Sequence, residues 1–546
     1  MTLRSGGQLI VDALAQHGAE RVFCVPGESY LDVLDALYDS DISTIVCRHE
    51  GGAGYMAEAQ GKLSGRPGIA MVTRGPGAAN AFVGVHTAYQ DAVPMILFIG
   101  LIPLPHRHRE AFQEFDVRGW FGTTAKQVLV LDQASRAPEV VAAAYHAALS
   151  GRPGPVIVGL PEDVLVDKVE VPDVPPLPVS NGSISAKEIA SLGRLLQEAT
   201  SPLVVVGGTR WTAAASRRIT AWAEEWSLPV AGDFRTYDLV DHDSPSYVGQ
   251  LGYGRDDRLA QRLSDADLVI TLGGALSDVP TDGFTLRQNR DAITVVVSPD
   301  PSLLGHFGAV KQQIVASPEA FADAVGGWHP TDEVSWKAWT NEARAQQREY
   351  GALPDPSTFA PEATVQMTAV MADLTPRLPE DAIVTFGAGN HAIWAQRFIR
   401  HHQPGTLLGP RNGSMGYGTA AAVSASLSHP DRLVVSIAGD GCFMMNAQEL
   451  ATAVQYGAAP MIIVMDNAQY GTIRAHQEQH YPGRVSGTQL KNPDFAAMAR
   501  SFGAHGDAVR TNADIAPAID RALEAVNERR IPALLHVIVD PMVLNP

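Results

Sequence analysis

The sequence predicts an α/β fold of three doubly wound parallel-sheet domains in series. Short runs rich in β-branched residues alternate with helical patterns from end to end. That alternation halts and restarts twice, each time at a polar, Pro-containing stretch. The length of 546 residues leaves room for about three or four domains at roughly 150 residues each.

The first domain is expected over 1–170. Its opening segment, MTLRSGGQLIVDALAQHG, has no long apolar core and reads as an amphipathic helix rather than a signal peptide. Strands are expected at Arg21–Val25, Thr44–Cys47, Gly68–Thr73, Met95–Gly100 and Pro155–Leu160, with helices such as Gly51–Leu63 and Glu139–Leu149 between them. Val171–Val179 (VPDVPPLPV) has too few apolar anchors for a core, so 171–185 reads as an extended linker. A central Rossmann-like domain follows over 186–345. Its strands are expected at Pro202–Gly208, Ala266–Gly274 and Ala292–Pro299, with a helix at Thr212–Trp226. A second linker, 346–362, leads into a domain over 363–546. There, strands are expected at Ala382–Phe386, Leu433–Ala438, Met461–Met465 and Ala533–Val539.

Charge narrows the partners. The chain carries 41 Lys+Arg against 59 Asp+Glu, a net charge of −18. Nucleic acid and anionic membranes both require clustered positive charge, so neither is expected as a partner. Nowhere do about 18 apolar residues run together, so no membrane span is expected. Cys24, Cys47 and Cys442 are far apart and lack CxxC spacing. They indicate neither a zinc site nor a disulfide framework, and fit a reducing cytoplasm.

Two constellations carry chemistry. In the last third, Leu433–Ala438 runs into Gly439-Asp440-Gly441-Cys442, and a second strand delivers Asp466-Asn467-Ala468-Gln469-Tyr470-Gly471-Thr472. Asp440 and Asn467 are about one βαβ unit apart, which places both at the carboxyl ends of neighbouring parallel strands. Open α/β sheets bind ligands at that edge. A carboxylate, an amide oxygen and a backbone carbonyl are hard ligands suited to Mg²⁺ with phosphate oxygens. An isolated Gly-Asp-Gly is more often an ordinary turn; the pairing across two strands is what points to a site. In the first third, a strand ends in Arg48-His49-Glu50, and Thr73-Arg74-Gly75-Pro76-Gly77-Ala78-Ala79-Asn80 follows. Glu50 is not part of a zincin motif, because no second His follows at i+4. Read locally, it could be a helix cap.

Together these segments resemble the thiamine-diphosphate enzymes of the acetolactate synthase and 2-oxo-acid decarboxylase superfamily, over nearly the whole chain. Gly439-Asp440-Gly441 with Asn467 resembles the family's cofactor motif, with Asp466 in place of its first Asn. RHEGGAGYMAEAQGK and TRGPGAAN resemble the stretches around the activating glutamate. RPGPVIVGLPEDV and GSMGYGTAAAVSAS resemble the end of the first domain and the pyrimidine lining.

The resemblance implies a pyrimidine-binding first domain, a central domain, and a diphosphate- and Mg²⁺-binding third domain. Asp440, Asn467 and the Gln469 carbonyl would hold Mg²⁺. Gly387, Ala388, Gly389, Asn390 and His391 would line the diphosphate with Gly439, Gly441, Cys442, Tyr470, Gly471 and Thr472. Gly413 and Met415 would support the cofactor's bent shape. Glu50 would hydrogen-bond the pyrimidine and so favour deprotonation of thiazolium C2, with Gly75 and Asn80 beside it. Phe112 and Gln113 would lie near C2. Glu28, Ser29, His86 and His476 are candidates for the substrate pocket. The implied substrate is a small 2-oxo acid or aldehyde. The implied assembly is a homodimer or homotetramer, with active sites at the subunit interface.

Three departures separate the chain from a strict acetolactate synthase. The family's lysine in PKD is Glu162 here. The tryptophan that helps select a larger second oxo acid is His476. The RFDDR stretch reads Leu276-Ser277-Asp278-Val279-Pro280, which leaves FAD doubtful. The competing readings are a 2-hydroxyacyl-CoA or benzoin-type lyase, for which Arg210, Arg217, Arg218 and Arg287 are possible contacts, and a catalytically silent cofactor-binding or regulatory protein. A nicotinamide oxidoreductase lacks a complete fingerprint.

Overall fold

The computed structural model describes residues 2–286, 292–303 and 309–546. It contains three six-stranded sheets, each wholly parallel, plus a two-stranded pairing of Arg4–Ser5 with Lys168–Val169. In the first sheet the order is Ser43–Val46, Arg21–Cys24, Gly68–Val72, Met95–Leu101, Pro155–Pro161, Gln127–Val130. In the third it is Leu407–Leu408, Ile383–Phe386, Val434–Gly439, Met461–Asp466, Ala533–Ile538, His505–Val509. Numbered in chain order within each domain, both sheets run second, first, third, fourth, sixth, fifth. The first and third domains therefore repeat one topology, although their sequences show no repeat by identity. The middle sheet runs Tyr247–Gln250, Val230–Gly232, Pro202–Val206, Leu268–Leu272, Ile293–Ser298, Ala309–Val315, an order that reverses between Pro202–Val206 and Leu268–Leu272.

The central strands are buried on both faces, as parallel sheets require: Met95–Leu101 and Pro155–Pro161 are buried throughout. Of the edge strands in the first and third sheets, Ser43–Val46 matches an expected run, while Gln127–Val130, Leu407–Leu408 and His505–Val509 do not: Gln127–Val130 is apolar but short and partly exposed, His505–Val509 is half polar, and Leu407–Leu408 is too short to show a pattern.

The first and third domains share one apolar core. Helix Glu50–Ser64 packs against Pro76–Asp91 and against Tyr417–Ser428. The approach is close enough that a Cβ on Gly84 would lie 2.5 Å from the Gly54 carbonyl carbon, so small residues are required there. Polar groups inside this contact are paired. Tyr417 Oη donates to Glu58 Oε2 at 2.6 Å, Ser424 Oγ donates to the Met56 carbonyl at 2.7 Å, and Lys62 Nζ meets Asp91 at 2.7 Å. Burial, outweighing the nearby Lys62, pushes the Glu58 carboxyl up to about 8, so it is protonated at neutral pH.

Between strands Val434–Gly439 and Met461–Asp466 the chain forms two helices, Asp440–Met444 and Glu449–Tyr456. Residues 171–179 have no regular structure, while helix Lys337–Tyr350 continues into the expected second linker and covers its first residues, 346–350. Among the described residues, no helix is long and apolar enough to cross a membrane.

Candidate cofactor and metal site

Asp440 opens a helix directly after strand Val434–Gly439, and Asn467 follows strand Met461–Asp466. The two strands are hydrogen-bonded neighbours, so both side chains reach the same carboxyl edge. Asp440 and Asn467 are buried. Asp440 Oδ1 accepts from Gly441 N at 2.8 Å, and Oδ2 accepts from Asn492 Nδ2 at 2.7 Å. Burial, with Asp466 close by, raises the Asp440 carboxyl to about 6. A divalent cation would relieve that unfavourable charge. Ala468 takes a left-handed backbone (φ 54°) between Asn467 and Gln469, which turns the chain sharply at the point where a backbone ligand is expected.

These residues line a cavity of about 250 Å³. Its walls are Ala388, Gly389, Asn390, His391, Gly413, Met415, Gly439, Asp440, Gly441, Cys442, Met465, Asn467, Gln469, Tyr470, Gly471, Thr472 and Ile473. Gly387 lies just behind, where a Cβ would meet Cys442 Sγ at 2.4 Å; on Gly441 one would meet the Tyr470 ring at 2.4 Å. Thr472 Oγ1 donates to Asn390 Oδ1 at 2.6 Å, which ties the two walls together. His391 is buried and held neutral, its pKa lowered to about 3 by burial and by Arg235. Its Nε2 has no protein partner. A buried, unpartnered imidazole nitrogen in a glycine-rich wall is a polar group awaiting a ligand. The donor set fits a diphosphate with a hard cation.

Four supporting residues were missed. Asn492 bridges Asp440 and Asp466, donating to Asp466 Oδ1 at 2.8 Å. His536 Nε2 meets Asp466 Oδ2 at 2.8 Å. Burial raises the Asp466 carboxyl, but hydrogen bonds from His536, Ala468 N and Asn492 outweigh it, so it ends below the usual range. Arg235 reaches in from the middle domain and donates to the Gly387 carbonyl at 2.6 Å. Glu449 is described below. Such contacts are tertiary and leave no local spacing to read.

Glu50 lies elsewhere. It is the first residue of helix Glu50–Ser64, whose first turn His49 caps by accepting from Gly51 N. Asn80 Nδ2 donates to Glu50 Oε2 at 2.9 Å, and a Cβ on Gly77 would sit 3.3 Å from Oε1. Gly75 (φ 61°) starts helix Pro76–Asp91 and abuts Gln113. Glu449, fully buried in the third domain, accepts from Arg48 N at 3.1 and 3.3 Å, which fixes the turn that presents Glu50. Within one chain, none of these first-domain residues lines the cavity.

The substrate candidates divide. Phe112 is 72% exposed, and Glu28 and His476 also face solvent. His86 is half-buried and meets Asn412 at 3.0 Å, so it is packed between two domains. Ser29 is fully buried, with its hydroxyl 2.8 Å from Thr73 Oγ1, where it supports the turn. Among the arginines named for a coenzyme A reading, Arg210 is tied to Ser180 and Asn181, and Arg218 to Asp323. Arg287 lies outside the described residues.

Three sequence-family profiles match in succession: the thiamine pyrophosphate enzyme N-terminal binding domain over 4–120, the central domain over 189–325, and the C-terminal binding domain over 387–537. The chain is similar to the acetolactate synthase large subunit of Parasynechococcus marenigrum, with 31% identity over 98% of this chain and 87% of that protein. The large subunit from Corynebacterium glutamicum gives the same figures. The isozyme 2 large subunit of Escherichia coli is 29% identical over 98% of this chain and 96% of its own length. The chain belongs to the thiamine pyrophosphate enzymes, and is an acetolactate-synthase-like enzyme of the carboligase/decarboxylase kind.

Proposed function

We propose that the protein is a Mg²⁺-assisted carboligase or decarboxylase acting on a small 2-oxo acid or aldehyde. In this reading it works as a homodimer or homotetramer, with sites at the subunit interface. One observation carries the assembly: the cavity is built by the third domain alone, while Glu50 sits on the first domain outside it. The rim supports it too. Helix Gly471–His480 buries none of its residues, and Met444, Met445, Ile473 and Tyr481 are exposed. A second copy would cover this apolar rim and bring its Glu50 to the cavity.

Thiamine diphosphate supplies a nucleophilic carbon and an electron sink for breaking the bond beside a carbonyl. Asp440, Asn467 and the Gln469 carbonyl would hold Mg²⁺, His391 Nε2 and the surrounding glycine amides would bind diphosphate oxygens, and Met415 would pack against the cofactor. Glu50, oriented by Asn80, holds a proton at the pyrimidine ring. Phe112 and Gln113, on the first-domain turn beside Gly75, would be brought over the reacting carbonyl by the second copy and would exclude water from it. The cytoplasmic setting rests on three buried free cysteines.

The test is CO₂ release, with product identification, over a panel of 2-oxo acids with thiamine diphosphate and Mg²⁺. Release from one acid, with a ligated or free aldehyde product, is the expected result. No release from any acid, with cleavage of a hydroxyacyl-CoA instead, would replace this reading with the lyase one.

A further inference from the structure

We propose that Arg74 is a positioning residue that sets the substrate-facing wall beside Glu50, and so governs which reactants are accepted rather than whether the cofactor is activated. The inference rests on the reading above, that the reacting carbonyl lies at the Glu50 end of the first domain.

Arg74 is 6% exposed, at the carboxyl end of strand Gly68–Val72. Its guanidinium reaches three segments that the chain brings in from separate strand ends. Nη2 meets Glu28 Oε1 at 3.2 Å, Nη1 meets Glu162 Oε2 at 3.1 Å, and Nε donates to the Phe112 carbonyl at 3.3 Å. A planar fork can satisfy three acceptors in fixed directions; an ammonium cannot. Glu162 stands where the resembling family carries lysine. Here the positive charge comes from Arg74 instead, and without it two carboxylates would face each other.

The turn that Arg74 holds is strained. His108, Glu110 and Gln113 all take left-handed backbone, at φ 63°, 54° and 60°. Only part of the loop is tied internally, by Glu114 accepting from His108 N at 2.7 Å and Ala111 N at 3.2 Å. The rest leans on residues 74–75: a Cβ on Gly75 would lie 3.2 Å from Gln113 Cβ. The wall is continuous with Glu50, since Thr73 and Glu50 both border Gly77. Exposed Phe112 and the free oxygen of Glu28 are what this wall presents. Arg74 lies outside the cavity that gathers Asp440, Asn467 and Gln469.

The experiment compares Arg74→Ala, Arg74→Lys and the paired Arg74→Gln/Glu162→Gln in the full-length holoenzyme. Readouts are hydrogen–deuterium exchange at the C2 of bound thiamine diphosphate, and kcat and KM for the 2-oxo acid that the CO₂-release panel identifies. Arg74→Ala is expected to leave C2 exchange within about twofold of wild type. KM should rise about tenfold or more, with a smaller change in kcat. Arg74→Lys should fail to rescue. The paired amides remove the opposed charges, retain hydrogen bonding and should recover most of the KM. An unchanged KM in Arg74→Ala would overturn the proposal, as would loss of C2 exchange in the paired variant, which keeps the turn supported. A wild-type protein without C2 exchange would instead refute the functional reading.

Discussion

Replacing Glu449 by Ala should loosen the turn that carries Glu50 from across a domain boundary. Glu449 is fully buried, and its carboxylate accepts twice from Arg48 N and once from Thr452 Oγ1 at 2.6 Å. Two neighbours on the same helix reinforce it: Tyr456 Oη accepts from Val46 N at 2.9 Å, and Gln455 meets the Arg48 guanidinium. Truncation leaves the Arg48 N–H without its partner, at a cost of about 1–3 kcal/mol, and loses a hydroxyl bond worth about 1 kcal/mol. A local destabilisation of about 2–4 kcal/mol follows, which lowers amide protection at least about 30-fold. The assay is hydrogen exchange with mass spectrometry on the peptide spanning residues 43–55. Gly52→Ala makes the same perturbation from the other side, because its Cβ would lie 2.4 Å from Glu449 Oε1. Both variants should also slow C2 exchange while keeping cofactor affinity. Protection within threefold of wild type in both variants would refute the reasoning.

Three further predictions follow from the site and the core. Asp440→Ala should abolish Mg²⁺-dependent thiamine diphosphate binding by calorimetry; an unchanged affinity would remove Asp440 from the metal site. Glu50→Gln should bind the cofactor normally yet lose C2 exchange by about 100-fold or more, and retained exchange would strip Glu50 of its role. Glu58 has its folded pKa raised, so the stability it contributes is complete below about pH 4.5 and is lost as pH rises toward about 8. Glu58→Gln should therefore match wild type at pH 4 and exceed it by roughly 1–4 kcal/mol at pH 9; denaturation at both pH values checks this, and equal stability at pH 9 would show that Glu58 is not buried as a neutral acid.

What was legible in the sequence was whatever the chain keeps close together. Asp440 and Asn467 are joined by a single βαβ unit, so their spacing alone placed them on adjacent strands. The central strands announced themselves as unbroken apolar runs, because both of their faces are buried. The edge strand His505–Val509 is half polar and has no such signature. Asn492, His536, Arg235 and Glu449 meet the site only through folding, each from a different segment, and no window of sequence holds them beside their partners. The left-handed turns at His108, Glu110 and Gln113 were equally invisible, since no glycine marks them. The burial of Ser29 was equally unmarked: it follows a Pro-Gly turn, and the short 3₁₀ helix Glu28–Tyr30 rotates it inward.

The shared site can be tested directly by co-expressing Glu50→Gln with Asp440→Ala and measuring C2 exchange of the mixed protein. Each variant alone should be inactive. If Glu50 from one copy serves the cavity of another, each hybrid dimer regains one complete site, and random pairing should restore about a quarter of wild-type activity. If the mixture stays at the level of the separate variants, the two halves belong to one chain, and the interface account is wrong.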